Sequence, residues 1–306
     1  MIDIKKTFLK LTERTYTDGT EDMVIKLLPK FKFNRDKFGN YYIIVKKKDR
    51  SFSDTMFTCH LDTVYTDLYY GIYEVDIKHV IDGDFIKTNE YTNLGADDKA
   101  GMVIMLNMIN EKVPGLYYFF QGEETGRIGS SKLSAIFNDL VTASKLPKIN
   151  RCIAFDRSGY EMVITHQKKL RCCSDEFANE LAKQLNGYGF WYRLDTEGGR
   201  TDSYQFIDLV PECTNISVGY FYEHTVFEKQ DIEFLELLSV VATKINWDNL
   251  PIVKKIIPLD KMVRVSSNCD INIINSVELN DNEFDIWYNE QREKSNNVEN
   301  KTIISI

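Results

Sequence analysis

Apolar positions along this chain follow two patterns. Residues 3–13 and 20–31 carry apolar side chains at helical spacing, and the TDGTEDM between them offers Thr or Asp as caps for the second helix. Asp36-Lys37-Phe38-Gly39-Asn40 reads as a turn, and the β-rich YYIIV after it predicts a first strand near residues 40–46. TMFTC (55–59), LYYFF (116–120), RCIAF (151–155) and NISVG (215–219) are short apolar runs without clean alternation, as expected of strands buried on both faces of a sheet. Helical spacing returns at 98–111, 129–140, 174–186 and 231–246. Strands alternating with helices predict an α/β sheet covered on both sides. Ligands of such sheets bind outside the carboxyl ends of the strands, and His60, Glu123 and Asp156 each follow a buried run. There is no internal repeat. From Pro258 the chain is richer in Asn, Asp and Glu with weaker periodicity, so a main domain over 1–257 and a C-terminal extension over 258–306, an edge element or partly ordered tail, are expected.

Composition changes this picture little. With 306 residues, 43% apolar and 27% charged, the chain can bury one substantial core. A formal charge of -8 argues against a nucleic-acid partner, which needs a basic surface. The cluster Lys46 to Lys48 with Arg50 follows a strand and reads as its solvated end. The first residues lack the apolar stretch of a signal peptide, and no segment approaches the ~20 apolar residues of a membrane span, so no membrane association and a cytoplasmic location are expected. Six cysteines show no CxxC spacing, and several sit inside apolar runs, which disfavours a disulfide framework or a thiolate metal site.

Five polar clusters carry chemistry. In Cys59-His60-Leu61-Asp62-Thr63-Val64 an extended backbone turns His60 and Asp62 to one side, where Asp62 can orient the imidazole. In Gly95-Ala96-Asp97-Asp98-Lys99-Ala100-Gly101 two acids introduce a helix rich in small residues; simple N-capping by Asp97 or Asp98 is the other reading. Gln121-Gly122-Glu123-Glu124-Thr125-Gly126 sets two carboxylates between glycines, and such a pair can divide metal ligation from proton transfer. Asp156 ends a buried run, and His224 follows the last. Together they form a mixed N/O donor set suited to zinc, with cobalt or manganese as substitutes.

These motifs, in this order from about Asp36 to Glu228, resemble the clan of co-catalytic dizinc exopeptidases, which includes the M28 aminopeptidases and the M20 group with peptidase T. HLDTV is similar to that clan's HxDTV, GADDKAG to the peptidase T form of its second motif, GEETG to its double-glutamate motif and EHT to its closing histidine. The resemblance implies a three-layer α/β/α sandwich with a central mixed, mostly parallel β-sheet, and two zinc ions. Asp97 would bridge them, Asp156 sharing one ion with His60 while Glu124 and His224 hold the other. Glu123 would be the general base, Asp62 the support of His60, and the Asp97–Asp98 peptide cis.

The spacing then bears on subtype. Asp156 and His224 lie 68 residues apart, too few for the M20 lid domain inserted there, and the 37 residues from His60 to Asp97 leave no room for the extra domain of M42 relatives. A lidless 1–257 catalytic domain, nearer in architecture to M28, favours an aminopeptidase or di- or tripeptidase over an M20-like carboxypeptidase or N-acyl amino acid deacylase. A noncatalytic binding protein that retained the fold is the third reading, and the intact set with Glu123 argues against it. The substrate is a peptide or acylated amino acid, and a homo-oligomer remains open. Arg200 and Asp202, in Thr196-Glu197-Gly198-Gly199-Arg200-Thr201-Asp202-Ser203, are candidate substrate-binding residues, with a structural salt bridge as the other reading of Arg200. Asp175 and His166 have no motif support, and His79 reads as a surface residue.

Overall fold

A computed structural model describes residues 1–65, 76–89 and 91–256, and contacts gather Met1–Ile257 into one compact unit. The expectation for 258–306, and Cys269 with it, lies outside the described residues. Chain order begins with helices α1 (Ile4–Leu11) and α2 (Asp22–Lys26), then strands β1 (Asn34–Arg35), β2 (Tyr41–Val45) and β3 (Thr55–His60). A hairpin of β4 (Val80–Asp82) and β5 (Phe85–Lys87) precedes α3 (Ala96–Asn110), β6 (Gly115–Phe120), α4 (Ile128–Ala135) and α5 (Phe137–Thr142). There follow β7 (Arg151–Arg157), β8 (Met162–Ile164), the short pair β9 (His166–Gln167) and β10 (Leu170–Arg171), α6 (Asp175–Asn186) and β11 (Arg193–Asp195). A 3-10 turn at Asp202–Phe206, β12 (Glu212–Ser217), β13 (Tyr220–Phe221), β14 (Lys229–Asp231) and α7 (Ile232–Ala242) complete the unit.

The main sheet has eight strands in the order β1-β2-β6-β3-β7-β12-β8-β11, and four of its seven pairings are parallel. It is mixed and mostly parallel, as expected. Burial on both faces explains the missing alternation, because both sets of side chains are apolar. Phe57 and Cys59 of β3, Tyr117 and Phe119 of β6, and Ile153 and Phe155 of β7 join a core shared with α1, α3, α6 and α7. Their neighbours Met56, Leu116, Tyr118, Phe120 and Cys152 join a second core under α4 and α5. Two helical layers thus enclose the sheet. Helix α3 is apolar on nearly every side because residues 96–108 are buried, most of them in the first core.

Four adjacent strands, β6, β3, β7 and β12, run parallel and so bring their carboxyl ends to one edge of the sheet. Helix α3 comes down close behind that edge. A Cβ on Gly101 would lie 2.3 Å from the Phe155 carbonyl oxygen and 2.4 Å from Asp98 Oδ1, so glycine alone permits the approach.

Local details differ from expectation where long-range bonds intervene. The second helix is short and has no side-chain cap, Glu21 standing at its N-cap with helical backbone, and Pro29 prevents its extension to residue 31. The helix expected over 129–140 breaks at Ile136 (φ -118°) into α4 and α5. Strand β12 begins three residues early, at the buried Glu212, whose carboxylate accepts from Ser174, Val253 and Lys254 backbone N–H groups at 2.7, 2.7 and 2.9 Å. His79 is half-buried against Thr12 rather than on the surface. A second sheet, β13-β14-β5-β4, was not foreseen. Among the described residues the five cysteines are buried and free, and no helix is long and apolar enough to cross a membrane.

Candidate metal centre

His60 is the last residue of β3 and is 1% exposed. Its Nδ1 lies 3.0 Å from the Asp62 carbonyl oxygen and 3.4 Å from Asp62 Oδ1, which leaves Nε2 facing the cleft. There Nε2 stands 3.0 Å from Asp97 Oδ1 and 3.7 Å from Asp156 Oδ1. The other oxygen of Asp97, Oδ2, lies 3.2 Å from His224 Nε2, which in turn stands 2.7 Å from Glu124 Oε1. Two donor groups therefore share one carboxylate. His60, Asp97 and Asp156 form the first and Asp97, Glu124 and His224 the second, each with ligand atoms within 4.8 Å of one another. One imidazole and two carboxylates per group, with Asp97 split between them, fit a pair of borderline divalent cations.

Each donor is fixed by the backbone that delivers it. Asp97 follows Gly95, whose left-handed φ of 76° turns the chain into α3, and the Asp97–Asp98 peptide is cis. The buried Glu228 accepts from the Gly95 N–H at 2.7 Å and the Asp97 N–H at 3.0 Å. Asp62 accepts from the Glu123 and Glu124 N–H groups, both at 3.0 Å, so the carboxylate behind His60 also holds the double-glutamate turn. Lys99, 1% exposed, donates to the Leu61 carbonyl at 2.6 Å and Thr63 Oγ1 at 2.9 Å and pins the HLDTV segment. Asp156 receives the hydroxyls of Thr201 and, at 3.2 Å, Tyr220. His224 sits at φ 62° in the loop between β13 and β14, of which β14 pairs with β5 in the second sheet.

So many acids against two imidazoles leave an excess of negative charge that a cation would neutralise. Burial pushes the Glu123 carboxyl up to about 9, with Asp202, Asp156 and Glu124 adding to the effect. Burial likewise raises Asp202 to about 8 and Asp156, helped by Asp97, to about 6. Hydrogen bonds to Asp97 and Glu124 raise His224 to about 11. Burial works against ionised Asp97 too, but hydrogen bonds from His224 and His60 outweigh it and hold that carboxyl low.

These shifts fix a sign. A folded-state pKa raised above the unfolded one contributes stability that is complete below the unfolded value and lost as pH rises through the folded value. For Asp156, Asp202 and Glu123 that loss falls between about pH 4 and 9, and for His224 it continues to about 11. The melting temperature of metal-stripped protein is thus expected to fall from pH 6 to pH 9, and zinc to raise it more at pH 8 than at pH 6. Thermal scans in chelator and in zinc measure both, and a melting temperature that climbs with pH in chelator would refute the charge assignment.

The fold is that of solved peptidases. The chain is similar to the aminopeptidase PepT of Bacillus cereus ATCC 10987, with a TM-score of 0.63 and 16% identity over 78% of this chain and 96% of that one. It is similar also to the TET1 peptidase of Pyrococcus horikoshii, with a TM-score of 0.61 and 14% identity over 79% of this chain and 98% of that one. At such identity the likeness is one of fold. In sequence, 110 residues are 34% identical to the uncharacterized protein YqjE of Bacillus subtilis (strain 168), a match spanning 33% of this chain and only 27% of that relative. No family model matches.

The structure brings His60, Asp62, Asp97, Glu123, Glu124, Asp156 and His224 to one edge of the sheet. The two candidate substrate residues part company. Arg200 is exposed, its guanidinium 5.1 Å from the centre of the Tyr204 ring. Asp202 is 1% exposed, and its buried carboxyl interacts electrostatically with Asp156 and Glu123. Asp175 opens α6 and His166 lies in β9, outside both donor groups. Sequence reasoning gave no role to Glu228, Lys99, Thr201 or Tyr220. A lysine within the small-residue GADDKAG and a threonine within GGRTD were signals for two of them; Glu228 and Tyr220 had none.

Proposed function

We propose that this chain is a dinuclear zinc metallopeptidase that hydrolyses peptide bonds, acting as an aminopeptidase or a di- or tripeptidase. The observation that carries this reading is the division of the Asp97 oxygens between two imidazoles that belong to separate donor groups. The likeness in fold to PepT and TET1 supports it. His60, Asp97 and Asp156 would hold one ion and Asp97, Glu124 and His224 the other, with cobalt or manganese as substitutes. When bound, such ions supply Lewis acidity to the scissile carbonyl and bring the pKa of the attacking water toward about 7. Glu123 belongs to neither group; with cations offsetting the acids that raise it, its carboxyl would ionise, take a proton from the attacking water and hand it to the leaving amine. Asp62 keeps the His60 ring and the Glu123 backbone in a fixed relation. Assembly into homo-oligomers belongs to the same reading, since the TET1 peptidase can assemble into a tetrahedron or a large octahedral shell.

The decisive assay loads the full chain with zinc and offers aminoacyl fluorogens, di- and tripeptides, and N-acyl amino acids. Release of N-terminal residues from the first two classes is the expected result. Turnover of N-acyl amino acids alone would move the chain to the deacylases, and inertness toward all three with two ions bound would leave a binding protein.

A further inference from the structure

We propose that Arg127 is a positioning residue for Glu123, its guanidinium holding the carboxylate of the base in place; this rests on the peptidase reading above. The Arg127 Nη1 lies 3.5 Å from Glu123 Oε1, and both side chains are largely enclosed. Glu123 stands among the like charges of Asp156, Asp202 and Glu124; His60 offsets them from within the first donor group, and Arg127 is an arginine that reaches the Glu123 carboxylate directly, through this ion pair. The link between the two residues is short and closed. The N–H groups of Gly126 and Arg127 both donate to the Glu123 carbonyl, at 3.0 and 2.8 Å.

Two further features mark the arginine. Its backbone is left-handed, φ 61°, a conformation that Gly122 (φ 63°) and Gly126 (φ 114°) of the same loop adopt without steric penalty and that a bulky residue rarely does. Its Nε is buried without a hydrogen-bond partner. A left-handed backbone and an unmet buried donor together set this arginine apart within the loop. Arg127 is not a ligand in either donor group, so its effect on the reaction passes through Glu123.

A base that drifts from its position slows the chemical step and leaves ground-state binding alone. In the zinc-loaded full chain, Arg127→Met is expected to lower kcat by about 10- to 100-fold with KM changed by less than about twofold. Zinc content and melting temperature stay at wild-type values, and Arg127→Lys recovers part of the rate. Adding Arg127→Met to Glu123→Gln costs nothing more, because the residue through which it acts is already disabled. A wild-type kcat in Arg127→Met, an additive loss in the double variant, or zinc lost from Arg127→Met would each overturn the proposal. If the wild-type chain hydrolyses no peptide, the peptidase reading itself falls, a result distinct from an active enzyme indifferent to Arg127.

Discussion

Glu123→Gln is expected to retain both metal ions and to lose turnover by roughly 10²- to 10⁴-fold, the share a positioned general base contributes. Glutamine matches glutamate in size, and the bond that holds this turn comes from the residue 123 N–H to Asp62 Oδ1 at 3.0 Å, which the substitution leaves intact. Neither donor group includes Glu123, so metal content should not change. What disappears is the ability to accept a proton. Elemental analysis alongside kcat separates the two effects; two ions with a wild-type rate would remove Glu123 from the role of base, and lost metal would make it a ligand.

Asp97→Asn should act on the opposite quantity. Asp97 is the member common to both donor groups, and each oxygen faces a different imidazole, at 3.0 Å and 3.2 Å. An amide keeps the volume and the N–H bond to Glu228 but has one ligating oxygen, so one group must lose a donor. Metal affinity is expected to fall by more than about 100-fold, beyond the 10- to 100-fold typical of losing an outer-shell partner, with zinc at no more than one ion per chain. Equilibrium titration with a chromophoric chelator measures this. Two ions bound at wild-type affinity would show that Asp97 does not bridge.

The parts of this molecule that could be read from sequence are those whose causes are local. TMFTC, LYYFF and RCIAF are strands because they are apolar on both faces, and His60 and Asp156 follow from the rule that polar residues at strand ends gather at one edge. The ligand assignments came from the resemblance, since nothing in GADDKAG alone separates a bridging aspartate from a helix cap. What escaped was long-range. Glu228 meets Gly95 and Asp97 across more than 130 positions, the start of β12 is polar because Glu212 binds the backbone at Ser174, and the hairpin of β4 and β5 finds its partner only in β14. Asp202 shows the same limit in reverse. Its place in a glycine-rich segment suggests a role with substrate, and nothing in that segment tells that the side chain is 1% exposed.

The loop between β13 and β14 has a consequence for biosynthesis. It delivers His224 to the second donor group, and its far end carries the Glu228 that grips the backbone at Asp97. A ribosome that has finished β7 has made His60, Asp97, Glu123, Glu124 and Asp156, yet neither the last donor nor the grip on the shared one. The nascent chain therefore passes through most of its synthesis with an incomplete centre, and hydrolytic power, on the reading proposed above, arises only when the final third of the unit docks. A chain truncated before this loop would be inert toward its neighbours in the cell.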